Sequence, residues 1–244
     1  MRTTHSVLLV TIAAGLLVPL SGRALSAQGA ATPDQMVASL KQSLAESQKK
    51  LRQYQWIETT VISLKGEEKS RKQEQVYYGA DGTLTKLPMG PAAPPPPAPS
   101  GGRGGRLKSR VVEKKKDEMK DYMERAVALI HQYVPPPPER IQSAKDAGHL
   151  TVQPIGQGHV NAEFQAFVQP GDLLAIDVDA AGNRLATVHV KTYLDKPEDA
   201  VTLEVRYGTL TDGTSFVAQT TFAAAAKNIT VVVTNSGHRP LGGR

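Results

Sequence analysis

The chain has 244 residues, a formal net charge of +6, seventeen prolines, 5% aromatic residues and no cysteine. The lack of cysteine excludes a disulfide framework, a thiolate metal site, a cysteine nucleophile and a lipidated cysteine, so stability has to come from burying a core. The charge is local: Arg2 and Arg23 lie near the start, and between residues 101 and 120 eight basic residues face only Glu113, Asp117 and Glu118. The rest of the chain is close to neutral, so the basic character belongs to one segment.

Residues 1–27 read as a secretory signal, with Arg2, an apolar run from Val7 to Leu20, and small residues around Ser26 and Ala27, behind which cleavage is expected. That run falls short of the ~20 residues of a spanning helix, and no other segment approaches that length. The expectation is a periplasmic or secreted protein with no transmembrane segment after cleavage.

Residues 33–54 carry a helical pattern, with Thr32 as N-cap before Pro33 and apolar Met36, Val37, Leu40, Leu44 and Leu51 recurring among polar residues. From 54 to 64 the period changes. Tyr54, Trp56, Thr60, Ile62 and Leu64 share one parity and β-branched residues are dense, as in a strand. Turns at Lys65-Gly66 and Asp81-Gly82 lead into strands at 73–78 and 83–87, an antiparallel meander. Residues 88–106 are almost entirely Pro, Ala, Gly, Ser and Arg and offer no apolar surface to offset the entropy of ordering. A second amphipathic helix spans 114–133, with Met119, Tyr122, Met123, Ala126, Val127 and Ile130 on one face, stopped by Pro135 to Pro138. A short helix over 139–147 ends at Gly148. Seven short β runs follow, at 151–155, 162–168, 173–178, 185–194, 201–207, 216–222 and 229–234, separated by turn chemistry such as Gln169-Pro170-Gly171-Asp172 and Asp212-Gly213.

The organisation expected is a signal peptide (1–27), an N-terminal helix and meander (28–87), a Pro/Gly/Arg-rich flexible insertion (88–110), a helical segment (111–148) and a C-terminal antiparallel β region (149–240) that forms one domain with 28–87. The fold class is α+β: a curved, half-barrel-like antiparallel sheet of about ten strands with two amphipathic helices on its concave face, since each apolar helix face needs a sheet to cover it.

No catalytic constellation stands out. Asp177-Val-Asp179-Ala-Ala-Gly182 opens like a calcium loop, but Ala181 and Val188 occupy positions that need oxygen ligands, so a hairpin turn is expected. His131, His149, His159, His189 and His238 lack metal-ligand spacing. Gly213-Thr-Ser215-Phe-Val217 lacks the closing glycine of a nucleophile elbow, and Ser47-Gln-Lys49-Lys50 matches a serine–lysine pattern by letter only. Asp195, Glu198 and Asp199 belong to a proline-containing turn, and Asn228-Ile-Thr230 is a glycosylation sequon at the start of an apolar strand. The basic run has no interleaved aromatic residue for base stacking, and export argues against nucleic acid. Neither a catalytic residue, a metal site nor a cofactor is expected.

The order of leader, amphipathic helix, meander, second helix and long antiparallel region resembles the LolA-like family of periplasmic lipoprotein carriers. The segments Asp81-Gly-Thr-Leu, Tyr193-Leu-Asp195 and Asp212-Gly-Thr214 also look like an uncharacterised family of exported bacterial proteins. The first resemblance implies a concave apolar face that holds acyl chains, with a lipid or lipoprotein as partner. Trp56, Met119, Met123 and Phe222 are the large or adaptable apolar residues suited to line it. The expected function is therefore a non-catalytic exported protein that binds or carries a hydrophobic ligand or lipidated chain. The alternative is a cell-envelope protein–protein interaction module whose contacting part is the Pro-rich basic segment.

Overall fold

The computed structural model describes residues 33–90 and 103–242; the signal peptide expected over 1–27 and residues 91–102 of the expected insertion lie outside the described residues. Helix α1 (Pro33–Leu51) carries Lys49 and Lys50 in its last turn, where they oppose the negative end of the helix dipole. It leads directly into β1 (Tyr54–Leu64), β2 (Glu67–Tyr78) and β3 (Leu84–Pro88). Helix α2 (Arg103–Ile130) and the short α3 (Pro138–Asp146) precede seven further strands. These are β4 (Leu150–Gly156), β5 (His159–Gln165), β6 (Leu173–Asp179), β7 (Arg184–Tyr193), β8 (Ala200–Thr209), β9 (Ser215–Ala224) and β10 (Ile229–Pro240).

All ten strands form one open sheet in the order β3-β2-β1-β10-β9-β8-β7-β6-β5-β4. Nine antiparallel pairings build it, and only β1 with β10 is not a sequence neighbour. That pairing runs from Tyr54↔Pro240 to Leu64↔Ile229 and is flanked by backbone bonds from Lys65 to Asn228 and from Leu241 to Gln53. It merges the N-terminal meander with the C-terminal β region. Register shifts in β1·β2, β1·β10, β6·β7, β8·β9 and β4·β5 mark bulges, which bend a sheet and increase its twist. Both edge strands contain proline, Pro88 in β3 and Pro154 in β4, which blunts their pairing with other chains.

Three boundaries differ most from the sequence pattern, while β5 lies three residues earlier than expected and α2 ends three residues sooner. Helix α2 starts at Arg103, so 103–110 of the expected flexible insertion is helical. Once the amphipathic stretch after 113 is nucleated, each added residue gains a hydrogen bond, and Arg, Leu and Lys are good helix formers. Strand β2 begins at Glu67 and β10 runs on to Pro240, although neither extension alternates in hydrophobicity. Pairing along the full length of β1 supplies their backbone bonds instead.

The core lies between one face of the sheet and the helices. Leu40 of α1, Tyr122, Ala126 and Ile130 of α2, and Ile141 and Ala144 of α3 pack on Phe164, Leu174, Ile176, Val188, Val190, Leu203, Val205 and Phe222. Two buried tyrosines tie α2 and the residues after it to distant loops. The Tyr133 hydroxyl donates to Asp172, whose carboxylate also accepts the backbone N–H groups of Phe167, Val168 and Gln169. The Tyr122 hydroxyl donates to Asp199 in the β7–β8 turn, and beside it Arg125 pairs with Asp195. Burial first, and then the adjacent carboxylate, hold both phenols well above the ordinary tyrosine range, so they remain hydrogen-bond donors.

Candidate functional site

Register defines rows of side chains that cross the sheet on its inner face. One row runs Leu150–Phe164–Leu174–Val190–Leu203–Phe222–Val231–Ile62, from β4 to β1, and every member is apolar. Under the helices it is sealed: Leu174, Val190 and Leu203 are fully buried. Towards β1 the cover ends. Val231 is half-buried and Ile62 is 39% exposed, although both continue the same row. The next row repeats the change, passing from buried Ile176, Val188 and Val205 through Thr220 and half-buried Val233 and Thr60 to exposed Lys72 on β2. An apolar inner face therefore emerges from beneath the helices and forms a half-covered strip along β10 and β1.

The strip ends in charge. Glu58 and Glu74 stand directly opposite each other on β1 and β2, with side chains only 5% and 6% exposed. Like charges so placed repel, and each carboxylate has its own lysine: Lys86 at 2.6 Å from Glu58, and Lys72 at 2.7 Å from Glu74. Two buried carboxylates with two ammonium partners make a neutral but strongly dipolar patch.

Beyond it lies an aromatic cluster. The Trp56 indole N–H donates to Asn235 Oδ1 at 3.1 Å, while its ring stacks on His238 at 5.6 Å and tilts against Tyr78 at 6.0 Å. Phe216 closes on His238 at 4.1 Å, and the Arg52 guanidinium sits 5.9 Å above Tyr78. The ring of His238 has lost water on both sides, and this burial pushes its pKa down to about 4. It is therefore a neutral, stacking ring at neutral pH.

The four residues singled out for ligand lining do not form one group. Phe222 is buried in the core, in the apolar row next to Val231, and Met123 packs partly buried against that core. Met119 is half-buried one turn earlier on α2, and Trp56 belongs to the aromatic cluster. Ile62, Val231 and Val233 were not singled out, and neither was Glu58. A signal for Glu58 existed, since it is the one charged residue on the parity of Trp56, Thr60 and Ile62.

Other sequence features take structural roles. Asp179 accepts the Gly182 N–H and the Arg184 guanidinium, both at 2.9 Å, which closes the β6–β7 hairpin and holds its carboxyl below the usual range. Ser47 and Ser215, each a letter match to a nucleophile motif, meet under α1: Ser47 Oγ accepts the Ser215 backbone N–H at 3.1 Å and latches the helix to the start of β9. Among the described residues no three His, Cys, Asp or Glu side chains converge as a metal site, and no helix is long and apolar enough to cross a membrane. At the far end of the sheet from the aromatic cluster, a depression of about 560 Å³ is lined by Lys65, Ala200, Thr202, Ala223, Asn228 and Thr230 among others. None of the four candidate residues touches it.

No family model and no curated protein matches the chain. Two solved structures are similar to it in architecture. One is a LolA superfamily protein from Nitrosomonas europaea, with a TM-score of 0.33, 11% identity, and coverage of 83% of this chain and 94% of that one. The other is a DUF1329 family protein from Desulfovibrio piger, with a TM-score of 0.34, 10% identity, and coverage of 86% and 94%.

Proposed function

We propose that this chain is an exported, periplasmic or secreted protein that carries a hydrophobic ligand or a lipidated chain along the half-covered strip of β10 and β1. The observation that carries this reading is the change in cover along one row: Leu203 is fully buried and Ile62, three strands away in the same apolar row, is 39% exposed. An apolar surface that passes continuously from a packed core into solvent is a place where an acyl chain gains burial without displacing a side chain. Each methylene removed from water there contributes about 0.8 kcal/mol, so a short run of contacts gives useful affinity. Phe222 and Met123 border the inner side of this strip in the proposal, with Met119 further out on α2. Trp56 bounds its polar end beside the Glu58–Lys86 pair.

The test is mass spectrometry of an organic extract of the native protein, purified without detergent, with a fluorescent fatty-acid probe in parallel. A stoichiometric lipid, together with loss of probe binding in Ile62→Glu, is the expected result. A protein that yields no lipid and excludes the probe would remove the carrier reading. Export is tested separately by N-terminal sequencing of the native protein, expected to begin at Gln28.

A further inference from the structure

Helix α2 has two halves of different character. From Met119 to Ile130 one stripe is packed, with Tyr122, Ala126 and Ile130 buried. Side chains four residues apart share a helix face, so Lys115 continues that stripe one turn before Met119. It is exposed, as is every residue from Glu113 to Glu118. Residues 113–118 therefore face solvent, and the helix continues back to Arg103. At 1.5 Å per residue the part from Arg103 to Glu118 is about 24 Å long.

This arm concentrates the charge of the chain. Arg103, Arg106, Lys108, Arg110, Lys114, Lys115, Lys116 and Lys120 face three acids in the same stretch. Two of the lysines have loose partners one turn on, Lys114 with Glu118 at 3.9 Å and Lys120 with Glu124 at 3.7 Å, all strongly exposed. Such pairs are weak and give way to a stronger anion. Lys115 and Lys116 have no ion-pair partner among the described residues.

From this geometry we infer that the N-terminal half of α2 docks on a membrane surface rich in anionic lipid headgroups. A rigid helical arm lies flat along a plane and brings its cations within a Debye length of many headgroups at once. Leu107, Val111 and Val112 interrupt the basic run, the composition of helices that rest at a lipid interface. No aromatic residue falls between Arg103 and Lys120 to stack a base, which separates this arm from single-strand nucleic-acid grooves. The inference stands on α2 alone and does not depend on what the strip of β10 and β1 holds.

The experiment is co-sedimentation of the full chain lacking its leader with phosphatidylcholine vesicles, with and without one quarter phosphatidylglycerol. Binding is expected only to the anionic vesicles, lost in high salt, and more than a hundredfold weaker in the variant Lys114→Glu, Lys115→Glu, Lys116→Glu, since each lysine lost removes about a factor of five and each glutamate adds repulsion from the headgroups. A milder variant, Lys115→Gln with Lys116→Gln, is expected to bind at least tenfold more weakly with unchanged circular dichroism, so a folding defect in the first cannot imitate the result. Equal binding by wild type and both variants, or no binding to anionic vesicles, would overturn the proposal. So would retained binding to a DNA duplex in the absence of vesicle binding.

Discussion

Acidification from about pH 7.5 to about pH 4.5 is expected to weaken the fold through His238. The ring is half-buried between Trp56 and Phe216, which holds its folded-state pKa at about 4 against an unfolded value of 6.5. The group is depressed, so between these values the unfolded chain binds the proton and the folded chain does not. Its stabilising contribution is complete above about pH 6.5 and is lost as pH falls towards 4. The full shift corresponds to somewhat more than 3 kcal/mol, and partial contact with solvent reduces the expected loss to roughly 2 kcal/mol by pH 4.5. Asp179 and Asp212 act in another window. Turn N–H groups, from Gly182 and Thr214 respectively, lower both pKa values, so their contribution is lost only below the unfolded carboxylate value near 4. The assay is urea unfolding at several pH values, followed by the fluorescence of Trp56, the only tryptophan in the chain, which touches the ring in question. In His238→Gln the absolute stability falls, but the slope between pH 6.5 and 4.5 flattens. An unchanged slope in that variant would refute the reasoning.

Three other outcomes follow from the packing. Tyr133→Phe removes a hydrogen bond to a buried carboxylate and is expected to lower stability by about 1.5–3 kcal/mol in urea unfolding; a loss under 0.5 kcal/mol would mean that the Asp172 loop holds without it. Glu58→Leu alone leaves Lys86 uncompensated at a largely buried site and is expected to cost about 3–5 kcal/mol, whereas Glu58→Leu with Lys86→Met is close to neutral, a contrast that thermal melts resolve. Phe222→Ala is expected to cost about 3–5 kcal/mol as a core cavity, and Ile62→Ala less than about 1 kcal/mol, because Ile62 has solvent on one side. Fatty-acid probe affinity is expected to respond to Ile62→Ala several times more than stability does; equal insensitivity of both would count against a ligand on the strip.

The elements were legible because they are local. The helical period of Leu40 and Leu44, the alternation through Trp56, Thr60 and Ile62, and the turn residues at Asp81-Gly82 and Asp212-Gly213 each act within a few residues, and all ten strands and three helices occur close to where these signals place them. Charge was local too, so the basic character of α2 could be read directly. The amino-acid pattern was silent where the backbone depends on a neighbour. The polar start of β2 becomes strand because β1 offers it a partner, and residues 103–110 become helix because the rest of α2 already is.

By itself the sequence determined an α+β chain with amphipathic helices, short antiparallel strands and one basic segment. Only the tertiary structure decided that β1 pairs with β10 and joins two separate β regions, a contact between residues about 180 apart that no local pattern encodes. It also decided which members of one apolar row the helices cover. Phe222 and Ile62 both read as inward apolar residues, yet the first is sealed and the second meets water. Hydrophobicity selects the face a side chain occupies, whereas its cover depends on how far the helices reach across the sheet. Sequence period sets the first and three-dimensional packing sets the second.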